Sequence, residues 1–115
     1  MMMYKVGEIV SIEFPYSDIQ KLKRRPGVVL LHDSTDLLVA RLTTHPPRDA
    51  FDLSLNHWIE SGLPRASTVR LTKLATIDHR LVHHRIGRLQ DEDAATLATI
   101  WQRMSEGIVT ELLQS

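Results

Sequence analysis

A single change of period divides this chain and restricts what it can fold into. Up to residue 90 the apolar residues come in short, β-branched runs broken by Pro, Gly, Asp or Ser, as in Gly27-Val28-Val29-Leu30-Leu31-His32 and Leu37-Leu38-Val39-Ala40-Arg41-Leu42-Thr43. From Asp91 onward Leu97, Ile100, Trp101, Met104, Ile108 and Leu112 recur at three- and four-residue steps, the stripe of an amphipathic helix. The chain therefore reads as a β-rich core closed by one C-terminal helix. The strands are expected at Glu8–Phe14, Gly27–His32, Leu37–Thr43, Phe51–Leu55, Thr68–Leu71 continuing through Leu74–Ile77, and weakly at Arg80–Ile86. Asp33-Ser34-Thr35-Asp36 makes a hairpin between the second and third runs, and His45-Pro46-Pro47 ends the third. Asn56–Ser61 is expected to form one helical turn, stopped by Gly62 and Pro64. Asp91 is the expected N-cap of the terminal helix, with Glu92 and Asp93 favouring its positive end.

At 115 residues with 43% hydrophobic content, the chain is expected to form a single domain, 1–115, with a core of its own. It has no cysteine, so disulfides and thiolate metal sites are excluded. The start, Met1-Met2-Met3-Tyr4-Lys5, lacks the apolar stretch of a signal peptide, and a cytoplasmic protein without a membrane span is expected. Net charge is zero but unevenly spread. Residues 1–30 hold five Lys/Arg against three Asp/Glu, and residues 61–88 six against one; the acidic excess lies at 31–60 and 89–115. If the two basic segments meet in the fold, they form a phosphate-binding face despite the neutral balance.

The sharpest local feature is Lys21-Leu22-Lys23-Arg24-Arg25-Pro26-Gly27. Pro26 restricts Arg25 to extended geometry at the mouth of the next strand, a good place for a guanidinium that grips phosphate. In isolation such a sequence is most often a solvated basic turn. Four segments in order change that reading: G-E-I-V-S-I-E-F-P at 7–15, R-R-P-G-V-V-L at 24–30, V-A-R-L-T-T at 39–44 and G-L-P-R-A-S-T-V-R-L-T-K-L-A-T-I-D at 62–78, followed by R-I-G-R-L at 85–89. Together they resemble the MazF/PemK family of toxin–antitoxin ribonucleases across nearly the whole chain.

The resemblance implies a mainly β fold: an SH3-like barrel of the CcdB/MazF type with a short inserted helix and a C-terminal helix. It also implies a homodimer that cleaves single-stranded RNA without a metal or other cofactor, leaving 2′,3′-cyclic phosphate and 5′-hydroxyl ends. A cognate antitoxin with an acidic, flexible tail is the expected protein partner. The family's catalytic arginine corresponds to Arg25 and its strand-end threonine to Thr43; Arg70 corresponds to a second arginine used by some members. Lys23, Arg24, Arg70 and His45 are the candidate RNA-binding residues. Two positions after Arg70, where some members carry an acid, this chain has Thr72.

The chemistry suits these residue types. RNA supplies its own nucleophile, so the protein must align the 2′-oxygen, stabilise charge on phosphorus and move two protons. Arg25 stays protonated and offers a planar fork, which fits it for charge stabilisation and disqualifies it as a base. Thr43 can donate one hydrogen bond. Of six histidines, His45, two residues beyond Thr43, is the best placed to help with a proton. His83 and His84 would face opposite sides of a strand, while His79 and His83 would share a face if that segment is extended. His32 and His57 read as surface or packing residues. Trp58 is expected to pack on the body, with base stacking as the alternative, and no cluster has metal-ligand spacing. Two rival readings remain: a CcdB-like gyrase inhibitor, whose C-terminal Trp-Gly-Ile is missing here, and a non-catalytic SH3-like binding module.

Overall fold

The structure, a computed structural model, describes residues 3–13 and 24–115. Six antiparallel strands form one sheet: β1 (Glu8–Glu13), β2 (Arg24–His32), β3 (Asp36–Thr43), β4 (Asp52–Ser54), β5 (Thr68–Asp78) and β6 (Val82–Arg88), in the order β4-β5-β3-β2-β1-β6. Helix α1 (Asp91–Gln114) comes last. The strands fall on the expected runs except that β6 starts at Val82 and not at Arg80, and Phe14 of the expected first strand lies outside the described residues. Pairing among the described residues leaves β4 and β6 as edges, so the sheet is not closed into the expected barrel.

The sheet is apolar on both faces because its central strands are, and each face has its own core. Ile9, Val28, Ala40, Leu42, Val69 and Leu71 pack with Leu89, Leu97 and Ile100 from the helix side. Val10, Ile12, Val29, Val39, Ala75 and Ile77 pack with Tyr4 on the other face. Each fully covered Ile or Val contributes about 1.5–3 kcal/mol. The period-2 alternation of the strands thus sends Ala40 and Leu42 towards α1, and Val39, Arg41 and Thr43 away from it.

Two details of pairing open one end of the sheet. Residues 24–26 of β2 pair with β1 alone, and pairing with β3 starts only at Gly27, opposite Arg41. Pro26, which has no N–H to donate, sits where β2 and β3 part. On β5, Arg70 is opposite Arg41 but the next partner, of Ala40, is Leu74, so Leu71, Thr72 and Lys73 bulge out of the ladder. The division of the fifth run around Thr72-Lys73 in the sequence marks this bulge.

Four local expectations are corrected. Residues 56–62 form successive turns rather than an inserted helix: their bonds run Ser61 N–H to His57, Gly62 to Ile59 and Leu63 to Trp58. Asp93 holds this segment, accepting the backbone N–H of Asn56 (3.0 Å) and of His57 (2.9 Å), so its apparent start is capped by a distant side chain. The N-cap of α1 is Gln90, not Asp91, and it makes no side-chain capping bond. The apolar stripe of α1 is buried only as far as the sheet reaches; Ile108 and Leu112 are 52% and 66% exposed because the helix outruns the sheet. One turn of 3-10 helix, His79–Leu81, separates β5 from β6, so His79 and His83 do not share an extended face. Close approach of the 56–62 turns to β6 depends on Gly87, because the loop carbonyl of Ser61 occupies the space a Cβ there would need.

Candidate nucleic-acid interface

Where β2 and β3 part, a cavity of about 490 Å³ opens on the face opposite α1, lined by Arg25, Pro26, Arg41, Leu42, Thr43, Thr44, His45, Arg48, Ser67, Arg70 and Lys73. Among these residues there are five cations and no carboxylate. Arg25 on β2 and Thr43 on β3 both line the cavity, each two residues beyond the last β2–β3 pair, Gly27–Arg41, and on the same face of its strand as that pair. Both are half-buried, so each is held by its surroundings yet open to a ligand.

The Thr43 hydroxyl accepts the backbone N–H of His45 (3.3 Å), and its Oγ1 lies 3.4 Å from His45 Nδ1. The strand end thus folds back on itself after Thr43 and brings an imidazole to the hydroxyl. Accepting that N–H leaves the Thr43 proton available to donate.

Arg41 and Arg70 are cross-strand partners, and Asp52 on β4 is the next residue in the same row. Asp52 is buried; its Oδ2 accepts the Arg48 backbone N–H at 2.8 Å and lies 3.8 Å from Arg70 Nη1 and 3.9 Å from Arg48 Nε. Arg70 is itself only 8% exposed. Lys73 reaches the cavity from the β5 bulge.

Of the residues singled out in the sequence, Arg25, Thr43, Arg70 and His45 therefore meet in one cavity. Arg24 does not line it: next to Arg25 in a strand, it points to the other face and is exposed opposite Glu13. Lys23 lies outside the described residues. Trp58 packs against the helix-side core rather than the cavity. His83 pairs with Glu13 (3.3 Å). His57 lies 3.0 Å from Glu60 and 3.5 Å from Glu92, and these carboxylates, Glu60 first, raise its pKa above 6.5. Sequence reasoning misses Arg41, Arg48, Ser67 and Asp52. The alternation Arg41-Leu42-Thr43 carries the signal for Arg41, whereas Arg48 and Asp52 reach their places only through the β4–β5 register. Among the described residues no group of three or more His, Asp or Glu is arranged to hold a metal ion.

The family described as PemK-like, MazF-like toxins of type II toxin–antitoxin systems matches residues 5–104. The chain belongs to this toxin family. Its fold is similar to that of an endoribonuclease in complex with its cognate antitoxin from Mycobacterial species, at a TM-score of 0.71 and 13% identity, covering 85% of this chain and 90% of that one. It is also similar to the Mycobacterium tuberculosis toxin MazF-mt6, with TM-score 0.67, 22% identity and coverage of 81% and 90%. An endoribonuclease from Mycobacterial species gives 0.66, 13%, 86% and 88%. No curated protein matches the chain in sequence. In this PemK/MazF-type toxin Arg25-Pro26 and Thr43 both line the cavity. Among the described residues, no helix is long and apolar enough to cross a membrane.

Proposed function

We propose that this toxin is an endoribonuclease that cleaves single-stranded RNA by attack of a ribose 2′-hydroxyl on the adjacent phosphorus. The 2′-oxygen bonds to phosphorus as the 5′-oxygen leaves, which gives a 2′,3′-cyclic phosphate and a 5′-hydroxyl. The observation that carries this reading is the juxtaposition of Arg25 and Thr43 across the parted strands, at the mouth of a cavity lined by cations. Arg25 directs two N–H groups to the nonbridging oxygens and stabilises the charge that builds on them. Thr43 donates a further hydrogen bond to the same phosphate, and His45, the one imidazole lining the cavity, moves a proton to or from the reacting oxygens. Arg70, with Arg48 beside it, anchors the phosphate from the cavity wall, and Arg41 and Lys73 supply the surrounding field that draws the chain of phosphates in. Arg24, exposed on the other face of β2, adds only long-range positive charge to that field.

In the cell this reading makes the protein a cytoplasmic, single-domain homodimer restrained by a cognate antitoxin. An acidic, flexible antitoxin tail fits the cavity for the reason RNA does. A separate apolar groove of about 480 Å³, between the far end of β2 and α1 and lined by Val28, Leu31, Leu38 and Trp101 among others, supports self-association.

The test is a gel assay of the purified protein on single-stranded RNA with EDTA present. Cleavage that leaves cyclic phosphate ends is the expected result. Intact RNA combined with trapped gyrase–DNA complexes would replace this reading with topoisomerase poisoning, and intact RNA with no such complexes would leave a binding module.

A further inference from the structure

We propose that Asp52, which does not line the cavity, positions Arg70 and Arg48 at its wall and limits the cavity's positive charge. The inference rests on the ribonuclease reading for its functional consequence, though not for its structural part. Arg41 and Arg70 stand directly opposite one another on β3 and β5, an arrangement that repels. Asp52 is opposite Arg70 on its other side, so one row across three strands reads cation, cation, anion.

The geometry separates positioning from ligand contact. The Asp52 side chain has no exposure and the Arg70 side chain only 9%, so this carboxylate cannot touch a bound phosphate while Arg70 can. Its Oδ2 faces three nitrogens: the Arg48 backbone N–H at 2.8 Å, Arg70 Nη1 at 3.8 Å and Arg48 Nε at 3.9 Å. The first is a hydrogen bond that fixes the connection between β3 and β4. The other two are longer ion pairs that restrain two guanidinium groups without occupying all their donors. Asp52 Oδ1 is also buried and has no hydrogen-bond partner among the described residues. Such an oxygen is costly to desolvate, and the cations beside it are the groups that offset the cost. A guanidinium kept in place by a hidden anion still has N–H groups left for phosphate.

Removing this charge has two opposite consequences, which distinguish positioning from simple support of the fold. Arg70 and Arg48 lose their restraint, so the scissile phosphate is held less well. The cavity at the same time becomes more positive, so attraction for any oligoanion grows. In Asp52→Asn, kcat on a short oligoribonucleotide should fall about tenfold or more, since small misplacement is expensive in catalysis. KM should not rise, and affinity for the all-deoxy oligonucleotide at low salt should be equal or tighter. Unchanged kcat, or weaker deoxy-oligonucleotide binding by a variant that unfolds like the parent, overturns the proposal. A measurement on the unsubstituted protein covers the case in which the variant does not fold. Rotation about the Arg70 Nε–Cζ bond, followed by nitrogen NMR, should be slow compared with that of Arg103, an exposed residue on α1; equal rates overturn the proposal. Should the parent protein fail to cleave RNA, the ribonuclease reading falls, and the Arg70 rotation still decides whether Asp52 restrains it.

Discussion

The two ends of the central strands handle charge in contrasting ways. At the hairpin end, Asp33 Oδ1 accepts the N–H of Thr35 (2.8 Å) and of Asp36 (2.7 Å), and Asp78 binds Arg80 through two side-chain nitrogens and its backbone. Every one of these partners is within three residues in sequence. At the cavity end, Arg25, Arg41, Arg48, Arg70 and Lys73 converge from four different segments, with one buried carboxylate behind them. Charges satisfied by near neighbours build turns. Charges gathered from across the sheet, facing outward, leave a region whose electrostatics are completed by something else. The first end should therefore govern acid stability and the second should govern ligand binding and chemistry.

The largest effect expected from breaking this contrast is at Arg25. Arg25→Ala should lower RNA cleavage by about a hundredfold or more while circular dichroism stays that of the parent. Residual cleavage at the parental rate would remove the cavity end's special status. Next comes a purely structural lesion away from both ends: Gly87→Ala forces a Cβ into the Ser61 carbonyl and should cost about 2 kcal/mol in urea unfolding, more if the loop cannot shift. Lys73→Gln should weaken single-stranded RNA binding across sequences and reduce the slope of log K against log salt by about 0.7. Asp33→Ala should lower Tm modestly and leave cleavage unaltered, since its three bonds all close the hairpin.

The smallest effects are in pH dependence. The Asp78 carboxyl is held at about 2, below the ordinary 3.8, by the Arg80 side chain and then by its backbone N–H. Asp33 is lowered too, first by the Asp36 N–H and then by that of Thr35. Folded values below unfolded ones mean stabilisation that is complete above about pH 4 and is lost as pH falls through the folded values. His57 has the opposite sign: its raised pKa gives stabilisation that is complete below 6.5 and fades as pH rises through the folded value. Carbon and proton NMR titrations of these three side chains check all three directions.

Legibility in the sequence divides along the same line. Strands, hairpin and helix are legible because each is specified by neighbours: alternation in β1 and β3, the Asp33 turn, the three- and four-residue stripe of α1. Arg25 and Thr43 stand out in the sequence through the family resemblance, whereas their meeting in one cavity follows from the β2–β3 register. The Arg41–Arg70–Asp52 row is not legible, because it depends on which residues of three strands stand opposite one another, a register that no single strand announces. The turns at 56–62 look helical by composition, and only Asp93, far along the chain, shows what caps them. The last turns of α1 carry a sound stripe with no sheet beneath it.

Strand β2 joins both functions of the sheet: Arg25 stands three residues before Val28, which like its neighbour Val29 has no exposure at all. Adding or removing one residue between Arg25 and Val28 would turn the guanidinium to the opposite face relative to the core. Length changes there should thus silence the toxin as surely as losing the arginine, whereas a few residues trimmed from the overhanging helix end should leave cells still poisoned.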